Sequence, residues 1–261
     1  MKFAKKSLGQ NFLIDKNIIK KIISLIKIKN KNIIEIGPGK GALTEEILKN
    51  KPKLLSIIEK DSIFAEKLKY KFKKIDNVKI YNQDVLKFNI EDIVKQNSAI
   101  LGNLPYNISS QILVKILKFK KWPPNFTDLV LMFQKELGDK IIGKYQSSNY
   151  GRLSILSNYR LELISKFLVS ANCFFPKPKV TSLVIHFKPK KIKSFNIKNI
   201  DNLEKLTNVF FSNKRKMINK NIRKILNDNE IKQIPEINLS SRPSEIAPDT
   251  YYKLTELYEK K

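Results

Sequence analysis

Four consecutive residues, Asn103, Leu104, Pro105 and Tyr106, follow an apolar run that reads as a buried strand, and together they could handle a planar ring bearing an amine. The Asn103 side-chain oxygen and the Leu104 carbonyl are two acceptors, one for each N–H of an exocyclic amine whose lone pair is otherwise delocalised. Two such hydrogen bonds draw the nitrogen toward a tetrahedral geometry in which its lone pair can attack a carbon electrophile. Pro105 restricts the residue before it and so sets where the Leu104 carbonyl aims. Tyr106 offers a flat face for stacking, worth on the order of 1–3 kcal/mol per base. That offsets most of the few kcal/mol that extruding a base from its stack costs. The motif holds no histidine and no ionised base, so the proton leaves after attack, when the alkylated nitrogen is acidic. The competing reading is a turn whose proline and tyrosine merely pack.

What stands upstream weighs between the two. "EIGPGKGALT" (35–44) runs from a strand-like segment into a helical one, with glycines at 37, 39 and 41 that allow tight backbone and close ligand approach. The dinucleotide fingerprint is G-x-G-x-x-G with a pyrophosphate at a helix N-terminus; here the pattern is G-x-G-x-G behind an acid, Glu35. A carboxylate beside the loop disfavours pyrophosphate and favours a cationic ligand such as the sulfonium and amine of S-adenosyl-L-methionine. Glu59, in "IIEKD", lies eighteen residues beyond Gly41, where an acid can accept from both ribose hydroxyls. Asp84, in "NQDVLKF", ends the next strand-like run, where it can accept from an adenine amino group. Either acid alone is an ordinary loop residue. Two acids at successive strand ends point to a bound adenosyl group, and with it to methyl transfer onto an adenine amine at Asn103.

The elements that must position these residues alternate. "NIIEIG" (32–37), "LLSIIE" (54–59), "VKIYNQD" (78–84), "AILGNLPY" (99–106) and "DLVLMF" (128–133) are strand-like, and "ALTEEILKN" and "SIFAEKLKYKF" between them are helical. Such alternation predicts βαβ units and a parallel sheet covered on both faces. "KFLVSANCFFPKPKVTSLVIHFKP" adds two strands around a proline-bearing loop, expected antiparallel at the sheet edge. Ahead of the sheet, Asp15 can cap a helix with Ile18, Ile19, Ile22, Ile23 and Ile26 on one face, expected to pack on the sheet in preference to a membrane surface. After a linker-like "KPKKIKSF" the patterns "IDNLEKLTNVFFS", "KRKMINKNIRKIL" and "DTYYKLTELYEKK" read as helices.

The composition limits the classes available. The 261 residues carry 51 Lys+Arg against 24 Asp+Glu, a formal net charge of +27, which suits a polyanionic partner such as nucleic acid. The abundance of Lys, Ile and Asn leaves open that part of this excess is compositional drift on solvated faces. One cysteine, Cys173, excludes an intrachain disulfide and a cysteine-cluster metal site, and fits a reducing cytoplasm. One histidine, His186, lies in the alternating "VTSLVIHF" and reads as a strand residue, so no metal site is expected. No apolar run approaches the roughly 20 residues of a membrane span, and a cytoplasmic protein without membrane attachment is expected.

The motifs "SLGQNFLID", "EIGPGKGALT", "IIEKD", "NQDVLKF", "LGNLPYNISSQI", "QKELGDKI", "NYGRLSIL" and "FFPKPKVTS", in this order over nearly the whole chain, resemble the ribosomal RNA adenine N6,N6-dimethyltransferases, and among them the bacterial small-subunit branch. The resemblance implies an α/β fold. It consists of a Rossmann-like S-adenosylmethionine-dependent methyltransferase domain with a mostly parallel seven-stranded sheet over residues 1–189, and a small all-helical C-terminal domain over 190–261 that contacts RNA. It implies Asn11 and Leu13 beside the methionine end of the cofactor, Gly37 and Gly39 under it, Glu59 at the ribose, Asp84 at the adenine, and Asn103 at both cofactor and target. It also implies Phe174 as a second stacking face opposite Tyr106; from the residues alone, Phe174 and Phe175 are equally readable as core.

The implied activity is dimethylation of N6 of two adjacent adenosines in a hairpin loop near the 3′ end of small-subunit rRNA, by a monomer acting on an immature subunit. The rivals are a large-subunit rRNA adenine methyltransferase of the macrolide-resistance type and a non-catalytic RNA-binding assembly factor; the "SLGQNFLID" opening favours the first reading. Lys177, Lys140 and Asn219 stand where the family commonly has proline, arginine and arginine. Lys214, Arg215, Lys216, Lys220 and Arg223 are candidates for tracking a phosphate backbone, with a merely solvated face as the alternative.

Overall fold

The computed structural model describes residues 11–191 and 194–261, so the first four residues of "SLGQNFLID" and two of the linker-like "KPKKIKSF" lie outside the described residues. A two-residue strand, β1 (Phe12–Leu13), leads into α1 (Lys16–Ile23). Asp15 caps this helix as expected: its Oδ1 accepts from the N–H of Asn17 at 2.8 Å and of Ile18 at 2.9 Å. Ile19, Ile22, Ile23 and Ile26 are buried in the core together with Ile33, Leu55 and Ile57 of the sheet, while Lys20 and Lys21 face solvent.

The alternation of the sequence becomes β2 (Asn32–Ile36), α2 (Ala42–Lys49), β3 (Leu54–Glu59), α3 (Ser62–Lys71), β4 (Val78–Asn82), β5 (Ser98–Asn103), α4 (Ser109–Leu117) and β6 (Phe126–Gln134). Then come α5 (Lys135–Ile141), α6 (Arg152–Arg160), β7 (Leu161–Val169), β8 (Phe174–Phe175) and β9 (Ser182–Pro189). Among the described residues the main sheet has seven strands in the order β4-β3-β2-β5-β6-β9-β7. Neighbouring strands from β4 to β6 pair parallel, and β9 runs antiparallel to β6. The two added strands are thus at the edge, as expected, with the later one innermost. β1 and β8 form a separate antiparallel pair in which Phe12 faces Phe175 and Leu13 faces Phe174.

The strand order reverses at β2, whose neighbours are β3 and β5, and a crevice opens at such a switch point beyond the strand carboxyl ends. The register makes it a shared crevice. Ile36 pairs with Ile58 on one side and Gly102 on the other, so the loops after Ile36, Glu59 and Asn103 emerge side by side.

Contacts divide the chain into two compact units: the first runs to Gly138 and resumes over Leu163–Pro189, and the second comprises Asp139–Glu162 and Lys190–Lys261. This differs from a single cut after residue 189, and α6 gives the reason. Its buried Ile155, Leu156 and Tyr159 are covered by helices from beyond residue 190, α7 (Ile200–Phe211) and α10 (Pro248–Tyr258), between which α8 (Asn219–Ile222) and α9 (Asp228–Ile231) follow in the chain. The Tyr252 hydroxyl donates to the Ile155 carbonyl at 3.1 Å and the Tyr150 hydroxyl to the Ile246 carbonyl at 2.9 Å.

The helix expected over "KRKMINKNIRKIL" is broken. Residues 212–216 form turns and only Asn219–Ile222 is helical. Ile218, Ile222 and Leu226 are buried, and the Ile218 N–H donates to the Ser241 carbonyl at 3.0 Å, outside any helical ladder. Packing overrides the helical spacing. Lys214, Arg215, Lys216, Lys220 and Arg223 are all exposed on this second unit, Arg223 with its Nε 3.1 Å from Asp228 Oδ1.

Candidate active site

The carboxyl ends of β2, β3, β4 and β5 line one cleft, and every residue that the resemblance assigned to the cofactor lines it: Asn11, Leu13, Gly37, Gly39, Glu59, Asp84 and Asn103. Leu104, Pro105 and Tyr106 line the same cleft. The glycine loop bends because Gly37 and Gly39 take φ of 68° and 55°, a left-handed backbone that glycine adopts without strain. At Gly39 a Cβ would stand 2.9 Å from the Phe12 ring, so the loop presses directly on β1.

Glu59 is 7% exposed and holds this loop from the neighbouring strand. Its Oε2 accepts from the Gly39 N–H at 3.0 Å and its Oε1 from the Asp61 N–H at 2.8 Å. Burial raises its pKa, and these backbone donors act against that shift. Each oxygen keeps a further lone pair for a ligand hydroxyl. Asp84 is held by the Leu86 N–H at 3.0 Å and by Lys60, whose Nζ is 2.8 Å from Oδ2; the Lys60 hydrogen bond and the Leu86 N–H lower its pKa.

Glu35 lies deeper, 1% exposed. Its Oε2 accepts from the Thr44 hydroxyl at 2.6 Å, and its buried Oε1 has no hydrogen-bond partner among the described residues. Burial pushes its pKa up to about 7, Thr44 pulls it down, and the nearby Glu59 adds to the rise. An orphaned carboxylate oxygen in a cleft already carrying Glu59 and Asp84 fits a ligand with a positively charged centre and ribose hydroxyls. S-adenosyl-L-methionine is such a ligand.

At the opposite lip the Asn103 side chain is oriented by an interaction invisible in sequence: its Nδ2 donates to the Asn11 carbonyl at 3.1 Å. With the NH₂ end committed, Oδ1 is the end left to accept. Tyr106 is half-buried; its hydroxyl is 2.5 Å from the Ser182 Oγ, and its carbonyl accepts from the Ser109 hydroxyl at 3.1 Å. Burial raises the Tyr106 pKa, so the phenol stays neutral and is no general base.

Phe174 is not brought to the cleft. It is 3% exposed and packs in the core with Leu13 and Val169, while Phe175 is 56% exposed. Adjacent residues of a strand point to opposite faces, and the pairing with β1 turns Phe174 inward and Phe175 out. Lys40 Nζ sits 4.8 Å from the Phe12 ring centroid and 5.8 Å from that of Phe175. His186 is a buried strand residue as expected, its Nε2 2.9 Å from Asp128 Oδ1.

Sequence reasoning missed Phe12, Thr44, Lys60 and Ser182. All four stood within quoted motifs, Phe12 in "SLGQNFLID", Thr44 in "EIGPGKGALT", Lys60 in "IIEKD" and Ser182 in "FFPKPKVTS", but none carried a signal of its own.

A switch-point cleft with an acid at each of three strand ends and a glycine loop under it defines a Rossmann-like S-adenosylmethionine-dependent methyltransferase. Residues 1–260 match the ribosomal RNA adenine dimethylase family, and the chain belongs to that family. It is 46% identical over 263 residues to "Ribosomal RNA small subunit methyltransferase A" of Pelagibacter ubique, covering 98% of this chain and 97% of that one. The protein of the same name from Malacoplasma penetrans is 40% identical, with 97% and 91% covered. The crystal structure of a dimethyladenosine transferase from Plasmodium falciparum shares the fold, with a TM-score of 0.75 and 24% identity over 95% of this chain and 98% of that one. No helix among the described residues is long and apolar enough to cross a membrane.

Proposed function

We propose that the protein acts as a monomer on immature ribosomal small subunits. It dimethylates N6 of two adjacent adenosines in a hairpin loop near the 3′ end of their rRNA. The observation that carries this reading is the Asn103 amide, tied by its NH₂ to the Asn11 carbonyl at 3.1 Å at the lip of the cleft that holds Glu59 and Asp84. Its supports beyond geometry are the small-subunit relatives at 46% and 40% identity.

The chain's own residues divide the work. Glu59 and Asp84 would hold the ribose hydroxyls and adenine amine of the cofactor, and the buried Glu35 beneath the loop would favour its cationic end. When bound, S-adenosyl-L-methionine supplies an electrophilic methyl group on a sulfonium. Asn103 Oδ1 and the Leu104 carbonyl accept the two N–H groups of the target amine and turn its lone pair toward that methyl. Tyr106 stacks on the base. Attack would form the N6–methyl bond as the sulfur–methyl bond breaks and the thioether leaves, and the cationic N6 would then lose a proton to solvent with no side-chain base required. For the second methylation a single N–H remains, which would engage one of the two acceptors, and its proton would again be lost after attack.

Structured rRNA is read largely by shape and phosphate position, and the exposed Lys214, Arg215, Lys216, Lys220 and Arg223 suit that role. Incubating the purified protein with immature small subunits, large subunits and labelled cofactor tests the reading. We expect label in small-subunit adenines only. Label in large-subunit RNA would favour the rival enzyme, and binding to the small subunit without transfer would favour a non-catalytic assembly factor.

A further inference from the structure

Ser182 is wholly buried at the start of β9, where its backbone pairs with Gln134 of β6. A buried hydroxyl without a partner costs stability, and the partner here is the Tyr106 hydroxyl at 2.5 Å. At the other end of the tyrosine, the Ser109 hydroxyl donates to its carbonyl at 3.1 Å. The ring is therefore fixed at its backbone by one serine and at its para position by another. It can neither swing about χ1 nor tilt away from the cleft without breaking the Ser182 bond. Ser182 also immediately follows the "FFPKPKVT" loop, so this one bond ties that loop to the end of β5.

We infer that Ser182 is a positioning residue for the target base: by pinning the Tyr106 hydroxyl it holds the stacking face at the angle that presents the amine to Asn103 and Leu104. This rests on the proposed function, in which Tyr106 carries the base. Ser182 touches neither base nor cofactor in that reaction and acts through Tyr106 alone. The subunit is held mainly by phosphate contacts elsewhere, so loosening the ring lowers the fraction of bound complexes that are productive. It does not lower affinity for the subunit.

Ser182→Ala, Tyr106→Phe and the double variant are compared with the parent on immature small subunits. Each single variant should lower kcat about tenfold, as loss of one neutral hydrogen bond allows, with KM for the subunit within about twofold. Tyr106→Phe keeps the ring, and the double variant should lose no more than either single, because both remove the same bond. With 2-aminopurine at the target position of a short RNA, both variants should leave the extruded base more fluorescent than the parent does, through weaker stacking. Affinity for S-adenosylhomocysteine should be unchanged, a readout that separates positioning from general damage. Singles that multiply in the double, or a parent-like kcat in Tyr106→Phe, would overturn the inference. A parent that itself transfers no methyl to the subunit would instead overturn the proposed function.

Discussion

The Gly39 N–H donates to Glu59 Oε2 at 3.0 Å, so the acid proposed to receive the ribose also clamps the glycine loop of the adjoining strand. Oε1 is likewise committed to the Asp61 N–H at 2.8 Å. A carboxylate can accept from both backbone donors at once; an amide cannot, because one of its ends is itself a donor.

Glu59→Gln is nearly isosteric, yet it sets an NH₂ group against a backbone N–H. We expect affinity for S-adenosylhomocysteine, measured by calorimetry, to fall by about 10–100-fold, the cost of one or two disrupted hydrogen bonds to a charged group. Unchanged affinity would remove the clamp as an explanation of how the loop is held.

Glu35 gives a pH dependence of definite sign. Its pKa rises from 4.5 to about 7 on folding through burial, so the folded chain binds this proton more tightly than the unfolded one. The penalty on stability is absent below about pH 4, grows as pH rises and is complete above about pH 7. Glu35→Gln keeps an acceptor for Thr44 and has no charge to bury. It should be more stable than the parent near pH 8, by on the order of 3 kcal/mol at most, with the advantage shrinking toward pH 5. Thermal unfolding across that range checks it; a pH-independent difference would contradict the assigned burial of charge.

Phe174 and Phe175 should separate cleanly in denaturant unfolding. Truncating the buried Phe174 to Ala should cost about 3–5 kcal/mol, whereas Phe175→Ala should stay within about 0.5 kcal/mol. The reverse order would place the stacking candidate back at Phe174.

Much of the fold and the site was legible from strand ends. Glu59 and Asp84 could be placed because each closes an apolar run, and parallel strands of similar length bring their carboxyl ends to one edge. Asp15 and the isoleucines of α1 could be placed because a cap and a 3.6-residue period are local signals. The pairing of Phe12 with Phe175 had no such signal, since two-residue strands carry no period and lie far apart in the chain. The residues alone left Phe174 and Phe175 equally readable as core, and only the pairing with β1 separates them. The excursion Asp139–Glu162 was hidden because α6 completes its packing only with helices after residue 190. At "KRKMINKNIRKIL" the spacing of buried isoleucines is kept while the backbone between them turns. Residues whose role is to hold another side chain, Thr44 on Glu35 and Ser182 on Tyr106, are read only in three dimensions.

The role of Asn103 is tested most directly by the nucleoside content of the product. Small-subunit rRNA incubated with parent or Asn103→Ala enzyme is digested, and N6,N6-dimethyladenosine is quantified over time. The parent should form it, and the variant should be slower by on the order of 10²–10³-fold, the usual cost of removing a group that stabilises the transition state. Its affinity for the subunit should stay within about threefold if, as proposed, phosphate contacts away from Asn103 supply most of the binding. Near-parental turnover by Asn103→Ala would contradict the assignment of Asn103 as the acceptor that prepares the target amine.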